Sequence, residues 1–142
     1  MSKVSQILER KGGRVITISE DAPVLEAIRL MAEHHIGAVL VMRGDELVGI
    51  ASERDYARKV ILQGRSSSDT PVGLIMSTPV ICVGSLDSIT DCMSIMTERH
   101  VRHLPVLEGD RLIGLVSIGD LVKELIEEQK QEITYLQAYI AS

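Results

Sequence analysis

ITISEDAPVLEAIRLMAEHHIGAVLVMRGDELVGIASERD, residues 16–55, returns 65 positions later as ICVGSLDSITDCMSIMTERHVRHLPVLEGDRLIGLVSIGD, residues 81–120, without a gap. Eleven of the forty positions are identical, among them Met31/Met96, His35/His100, Gly44/Gly109, Asp45/Asp110, Gly49/Gly114, Ser52/Ser117 and Asp55/Asp120. Most others keep apolar against apolar, as in Ile18/Val83, Val24/Ile89, Val39/Leu104 and Ile50/Leu115. Two copies of one unit is the economical reading. The period is too long and the copies too few for a solenoid.

Each copy changes pattern in the same order. A β-branched run, residues 15–18 or 80–83, predicts a short strand, and apolar residues at i, i+4 and i+7 predict a helix: Val24, Ile28, Met31, then Ile89, Met93, Met96. Pro23 suits the first helical position and Asp87 an N-cap. Strands are expected at residues 38–42 and 47–51 and again at 104–107 and 112–116. Each pair is joined by a Gly-Asp turn, where glycine accepts the positive φ of a short hairpin. A closing helix over residues 53–63 should end at Gly64. The fold class is therefore α+β: two β-α-β-β-α repeats with a C-terminal helical tail. A half of about 70 residues buries too little surface to stand alone, so the repeats should pack on each other with pseudo-two-fold symmetry.

By sequence the first repeat takes residues 1–69, with a short N-terminal helix from Val4 to Leu8. Residues 64–70, GRSSSDT, form its linker. The second repeat takes residues 70–126, beginning with Thr70-Pro71 as N-cap and first position of a short helix through Met76. Residues 127–142 form a helical extension. The tail carries Leu121, Val122, Leu125, Ile126, Ile133, Leu136 and Ile140 at helical spacing, broken by the polar stretch 127–132.

The composition narrows the function. The 142 residues are 45% hydrophobic and 25% charged, a globular balance. Phe and Trp are absent and Tyr occurs three times, so bases have no aromatic platform to stack on. The net charge is −5 and no basic stripe appears, which argues against nucleic acid as a partner. Cys82 and Cys92 form no CxxC pair, and neither a secretory leader nor an apolar run near 18 residues is found. The expectation is a soluble cytoplasmic protein with reduced thiols and no membrane partner.

Gly49-Ile-Ala-Ser-Glu-Arg-Asp55, Gly114-Leu-Val-Ser-Ile-Gly-Asp120 and Arg102-His-Leu-Pro-Val106 together resemble a tandem pair of cystathionine-β-synthase (CBS) domains, the Bateman module. The resemblance runs over essentially residues 4–126 and is closest to small stand-alone CBS-pair proteins. It implies an adenosine-containing ligand, AMP, ADP or ATP, S-adenosylmethionine or NAD(H), held in clefts between the repeats. It also implies a regulator rather than a catalyst, a disc-like homodimer, and an unknown regulated protein.

Ser52-x-x-Asp55 and Ser117-x-x-Asp120 each stand where a strand turns into a helix. Each reads as a capping box or, since Asp stands where the longer Glu would reach back better, as a ribose site whose carboxylate takes both hydroxyls. The resemblance assigns the ribose role to Ser117 and Asp120. Arg102 and His103 replace Gly37 and Ala38 of the first copy. They are a surface pair or, as the resemblance implies, phosphate contacts, for which Arg offers a bidentate fork. Thr78 is a strand entry or, by the resemblance, a neighbour of adenine. Thr78, Arg102, His103, Ser117 and Asp120 are thus the expected main site. Ser52, Asp55 and Arg54, with Arg58, are a weaker second one. His34, His35 and His100 fall at helix ends, where a cation suits the dipole, so with His103 they predict no metal site, and no catalytic constellation is seen. The function expected is a regulatory adenosine-nucleotide sensor. The alternative is a dimerisation or scaffold module with vestigial sites.

Overall fold

A computed structural model describes residues 2–141; Met1 and Ser142, the outer ends of the first repeat and of the tail as expected above, lie outside the described residues. In chain order the elements are α1 (Val4–Lys11), β1 (Thr17–Ser19), α2 (Val24–His34), β2 (Ala38–Arg43), β3 (Glu46–Ser52), α3 (Glu53–Tyr56), β4 (Val83–Gly84), α4 (Ile89–Arg99), β5 (His103–Glu108), β6 (Arg111–Ser117) and α5 (Ile118–Ala141). Two three-stranded sheets, ordered β1-β2-β3 and β4-β5-β6, make the chain α+β. In each, the first pair is parallel and the second antiparallel. Gly44 and Gly109 take φ of 60° and 64° at the two hairpin turns, as the Gly-Asp pairs predict.

The chain divides into two compact units, Val15–Val80 and the remainder, in which residues up to Arg14 join those from Ile81 onward. Sequence order groups α1 with the first copy, but it packs with the second. The backbone hydrogen bonds show why. Val4 donates to the Asp87 carbonyl, Ser5 to Ser85, and Ile89 to Ser2. In the other unit Val72 donates to Ala22, Gly73 to Glu20, and Val24 to Thr70. The three bonds are the same in both units, so the segment preceding each copy is stitched to the opposite one.

Each unit has its own core. Val24, Ala27 and Met31 of α2 meet Val39, Val41 and Ala51 of the sheet, closed by Val60, Val72 and Ile75. Ile89, Cys92 and Met96 of α4 meet Leu104, Val106 and Val116, closed by Val4, Ile7 and Leu121. The apolar spacing of both copies is therefore core spacing, as it reads.

Several local expectations are corrected. The first strands lie later than the β-branched runs, because a strand forms only where β2 and β5 offer pairing, at Thr17↔Leu40 and Val83↔Val106. Pro23 is the N-cap of α2, not its first helical residue, with ψ 147°. The N-cap of α4 is Ser88, whose Oγ accepts from the Asp91 N–H at 3.0 Å, while the Asp87 carboxylate takes the Gly84 N–H at 2.7 Å. Only Glu53–Tyr56 of the expected closing helix is α-helical, and Ala57–Ile61 widens into a π-turn. Thr70 does not cap a helix: its hydroxyl donates to the Ser66 carbonyl, and only Val72–Leu74 forms a 3-10 turn. The tail is helical as expected, and α5 runs unbroken for 24 residues through the polar stretch 127–132.

Candidate functional site

Both strand-to-helix corners close as reciprocal caps. In the second copy the Ser117 Oγ accepts from the Asp120 N–H at 3.1 Å, and Asp120 Oδ2 accepts from the Ser117 N–H at 2.8 Å. In the first copy the Ser52 Oγ accepts from the Asp55 N–H at 3.1 Å, and Asp55 Oδ2 accepts from both the N–H and the hydroxyl of Ser52, each at 3.0 Å. A shorter acid than Glu serves well enough here.

The surroundings of the two carboxylates differ. Asp55 Oδ1 accepts the Ser77 hydroxyl at 3.0 Å and lies 3.3 Å from Lys59 Nζ, which also donates to the Ile75 carbonyl. Lys59 is one turn along from Asp55, so this acid is neutralised from its own helical stretch. The position 65 residues on from Lys59 is Glu124, an acid, so the second copy lacks that internal cation. Lys11, in the last turn of α1, supplies it: its Nζ sits 2.7 Å from Asp120 Oδ2 and donates to the Leu115 carbonyl at 2.9 Å. Arg10 meets the buried Glu124 at 2.8 Å. Burial by itself would push the Asp120 carboxyl up. The Lys11 hydrogen bond, the Ser117 N–H, the Lys11 charge and the Ser117 side chain together outweigh it and hold the carboxyl below the usual range.

Lys11 and Arg10 are the residues that sequence reasoning missed. The readable signal was the reversal from Lys59 to Glu124 at matched positions. Two acids one turn apart on a helix start require cations from elsewhere in the fold.

The other expected residues fall into place by register. His103 pairs with Ser117 across β5 and β6, as Ala38 pairs with Ser52. Leu104, Val106 and Val116 point into the core, so alternation puts His103 and Ser117 on the opposite face. Arg102 precedes the strand with an exposed side chain, and its carbonyl accepts the Ile118 N–H at 2.9 Å. Arg102, His103, Ser117 and Asp120 are thereby gathered at one corner of one unit. Thr78 is exposed and belongs to the other unit, next to Ser77, which bonds Asp55. Arg54 and Arg58 are exposed, and Lys59, not either of them, reaches Asp55. The Asp55 side chain is 12% exposed and that of Asp120 25%, so the second-copy acid is the more accessible.

His35 and His100 are the left-handed C-caps of α2 and α4, with φ of 53° and 55°. Their N–H groups bond the Met31 and Met96 carbonyls, a C-terminal role. Among the described residues no group of three or more His, Cys, Asp or Glu is gathered as a metal would need. Among them, too, no helix is long and apolar enough to cross a membrane.

The CBS domain model matches residues 4–62 and 72–127. The chain is 38% identical to the mitochondrial CBS domain-containing protein CBSX3 of Arabidopsis thaliana, over 96% of this chain and 71% of that one. It is 32% identical to the CBS domain-containing protein YhcV of Bacillus subtilis, over 83% of this chain and 84% of the relative. A solved protein with CBS domains from Burkholderia ambifaria is similar at 51% identity with a TM-score of 0.86, covering 90% of this chain and 96% of its own.

Proposed function

The chain belongs to the CBS domain family, whose paired members are regulatory ligand-sensing modules, and on that premise we propose that it senses an adenosine nucleotide and signals the bound state to a partner protein. AMP or ATP is the ligand placed first, with NAD(H) and S-adenosylmethionine behind. The observation that supports this is the corner of the second copy. There an accessible, ionised Asp120 lies at a helix start with Ser117, beside the two residues, Arg102 and His103, that replace Gly37 and Ala38. A carboxylate accepts from ribose hydroxyls, and a guanidinium forks onto phosphate oxygens. Ser52, Arg54 and Asp55 form the weaker second site, since Asp55 is engaged by Ser52, Ser77 and Lys59.

The protein acts by binding, as a homodimer, and carries out no reaction of its own. Burial first, then the charges of Asp87 and Asp91, push the Cys92 thiol up to about 11, far from a nucleophile's range. Both cysteines are free, which fits a reducing cytoplasm.

The Lys11–Asp120 ion pair favours a second reading, a dimerisation scaffold whose sites are vestigial, because the acid is already satisfied. Thermal unfolding in the presence of AMP, ATP, NAD(H) and S-adenosylmethionine separates the two. A ligand at a hundred times its Kd stabilises the native state by about 2.7 kcal/mol. At least one of the four should raise the midpoint, and Asp120→Ala should cut the rise by about half or more. No shift with any of them would leave the scaffold reading standing.

A further inference from the structure

The C-terminal half of α5 is exposed on every side from Gln129 to Ala141. A helix of that length without a covering surface is marginal in water, since helical stability comes chiefly from packing of an apolar face. Yet the apolar residues it carries are not scattered. Val122, Ile126, Gln129, Ile133, Leu136 and Ile140 follow one another at intervals of 4, 3, 4, 3 and 4. The steps of 4 and 3 alternate strictly, so that 126, 133 and 140 form one seven-residue repeat and 122, 129 and 136 another, the heptad pattern of a coiled-coil seam. Ile126, Ile133 and Leu136 are 47%, 55% and 52% exposed. The core-facing side of α5, marked by Leu121 and Glu124, is a different stripe.

We propose that this seam is occupied by the same helix of a second copy of this chain, in a parallel, in-register two-stranded coiled coil. The choice of occupant rests on the residues themselves. Ile126, Ile133 and Ile140 take the a positions and Val122, Gln129 and Leu136 the d positions. Isoleucine at a with leucine at d favours two parallel strands. The flanking charges agree. In the parallel arrangement Leu125 faces Lys130 of the second copy, and Glu132 faces Gln137, so no like charges meet. In the antiparallel arrangement that aligns the same seam, Val122 against Ile140 and Ile126 against Leu136, Glu132 would face Glu132 of the other copy and Lys130 would face Lys130, which is repulsive. Gln129 is the single polar layer. In register it meets its own counterpart, where two side-chain amides can hydrogen-bond, and a slip of one heptad would set it against Val122 or Leu136. The first two turns of α5 are already held by the core through Leu121, so the seam extends a helix that exists before association.

The inference rests on the homodimer of the reading above and names its interface. Sedimentation equilibrium of the full chain, the Ile133→Glu variant and the Gln129→Leu variant tests it. Ile133 is exposed and outside the core, so its replacement leaves the body folded, and unchanged circular dichroism of the body verifies this. The wild type should be a dimer, Ile133→Glu should weaken it by at least tenfold, and Gln129→Leu should tighten it. A dimer unchanged in Ile133→Glu overturns the seam while leaving the homodimer intact. A monomeric wild type overturns both. Orientation is read by disulfide trapping in a Cys82→Ser background. Ile140→Cys alone should cross-link efficiently. Trapping only when Val122→Cys and Ile140→Cys chains are mixed would overturn the parallel arrangement.

Discussion

Lys11 Nζ lies 2.7 Å from Oδ2 of Asp120, joining the last turn of α1 to the first turn of α5. The acid that the family resemblance assigns to a ribose is thus also the anchor of the N-terminal helix. A ligand drawing on this carboxylate must share it with Lys11 or displace it, so occupancy and the seating of α1 are coupled at one atom.

That pairing gives stability a pH dependence with a defined sign. The Asp120 carboxyl is held below its usual range. Its contribution is therefore fully present above the unfolded carboxylate value, about 3.9, and is lost as pH falls through the lower folded value. Asp120→Asn should cost roughly 1 kcal/mol near neutrality, a modest figure because both side chains are partly in water. Urea unfolding of wild type and variant should show this gap at pH 7 and see it close below about pH 4. A gap that persists undiminished in acid would mean that the charge of Asp120 stabilises nothing.

Asp55 and Asp120 should fail in different ways. The Asp55 carboxylate takes four hydrogen-bond or ion-pair contacts from Ser52, Ser77 and Lys59 and is nearly buried, so Asp55→Ala deprives Ser77 and Lys59 of this acceptor. The expected loss is roughly 2 kcal/mol of stability, with little effect on nucleotide affinity at the second-copy corner. Asp120→Ala should do the reverse, with calorimetric AMP affinity falling at least tenfold. Equal losses of affinity from the two variants would contradict the inequality of the sites.

What could be read in the sequence was whatever repeats locally. Gly44-Asp45 and Gly109-Asp110 announce their hairpins because a tight turn demands its residue type within four positions. The apolar stripes of α2 and α4 announce their faces by spacing alone. The exchange of segments, by which Val4 bonds Asp87 while Val72 bonds Ala22, leaves no local trace, since each bond joins stretches far apart in the chain. The caps leave no local trace for a related reason. Thr70 and Ser67 carbonyls satisfy the first N–H groups of α2, so Pro23 needs no side-chain acceptor, and no pattern near Pro23 reveals it. At the corners, Ser52/Asp55 and Ser117/Asp120 were legible as pairs. Lys11, which reaches Asp120 across 109 residues of chain, was not.

The segment exchange also explains two close approaches. A Cβ added at Gly49 would stand 2.5 Å from Met76 Sδ and 3.0 Å from Met76 Cβ, and one at Gly114 would stand 2.5 Å from Leu8 Cδ2. Met76 and Leu8 are the matching residues of the two exchanged segments. Both Gly49→Ala and Gly114→Ala should destabilise by roughly 1–3 kcal/mol, the usual cost of overpacking. Gly49→Ala should cost more, because Met76 is blocked down to its own Cβ while Leu8 is met at its far end. Adding Met76→Ala to Gly49→Ala should restore part of the loss in a double-mutant cycle, and strictly additive losses would show that the two residues do not meet.

Arg102 tests what the nucleotide reading requires of the second copy. The matched position in the first copy is Gly37, and both residues use their carbonyl identically, toward the Ile118 and Glu53 N–H groups. The backbone role is therefore common to the two, and only the exposed guanidinium is new. If it grips phosphate, Arg102→Ala removes charge-assisted hydrogen bonds worth roughly 1.5–3 kcal/mol, a ten- to hundredfold loss of AMP affinity. Adenosine, which has no phosphate, should bind the variant as it binds the wild type. Arg102→Lys should recover only part of the loss, since an ammonium lacks the planar fork. His103→Ala, opposite Ser117, should follow the same split if its ring also faces phosphate. Calorimetry with AMP and adenosine on each variant reads the difference directly. Parallel losses for the two ligands would assign Arg102 and His103 to the shape of β5 and leave the phosphate without a partner on this strand.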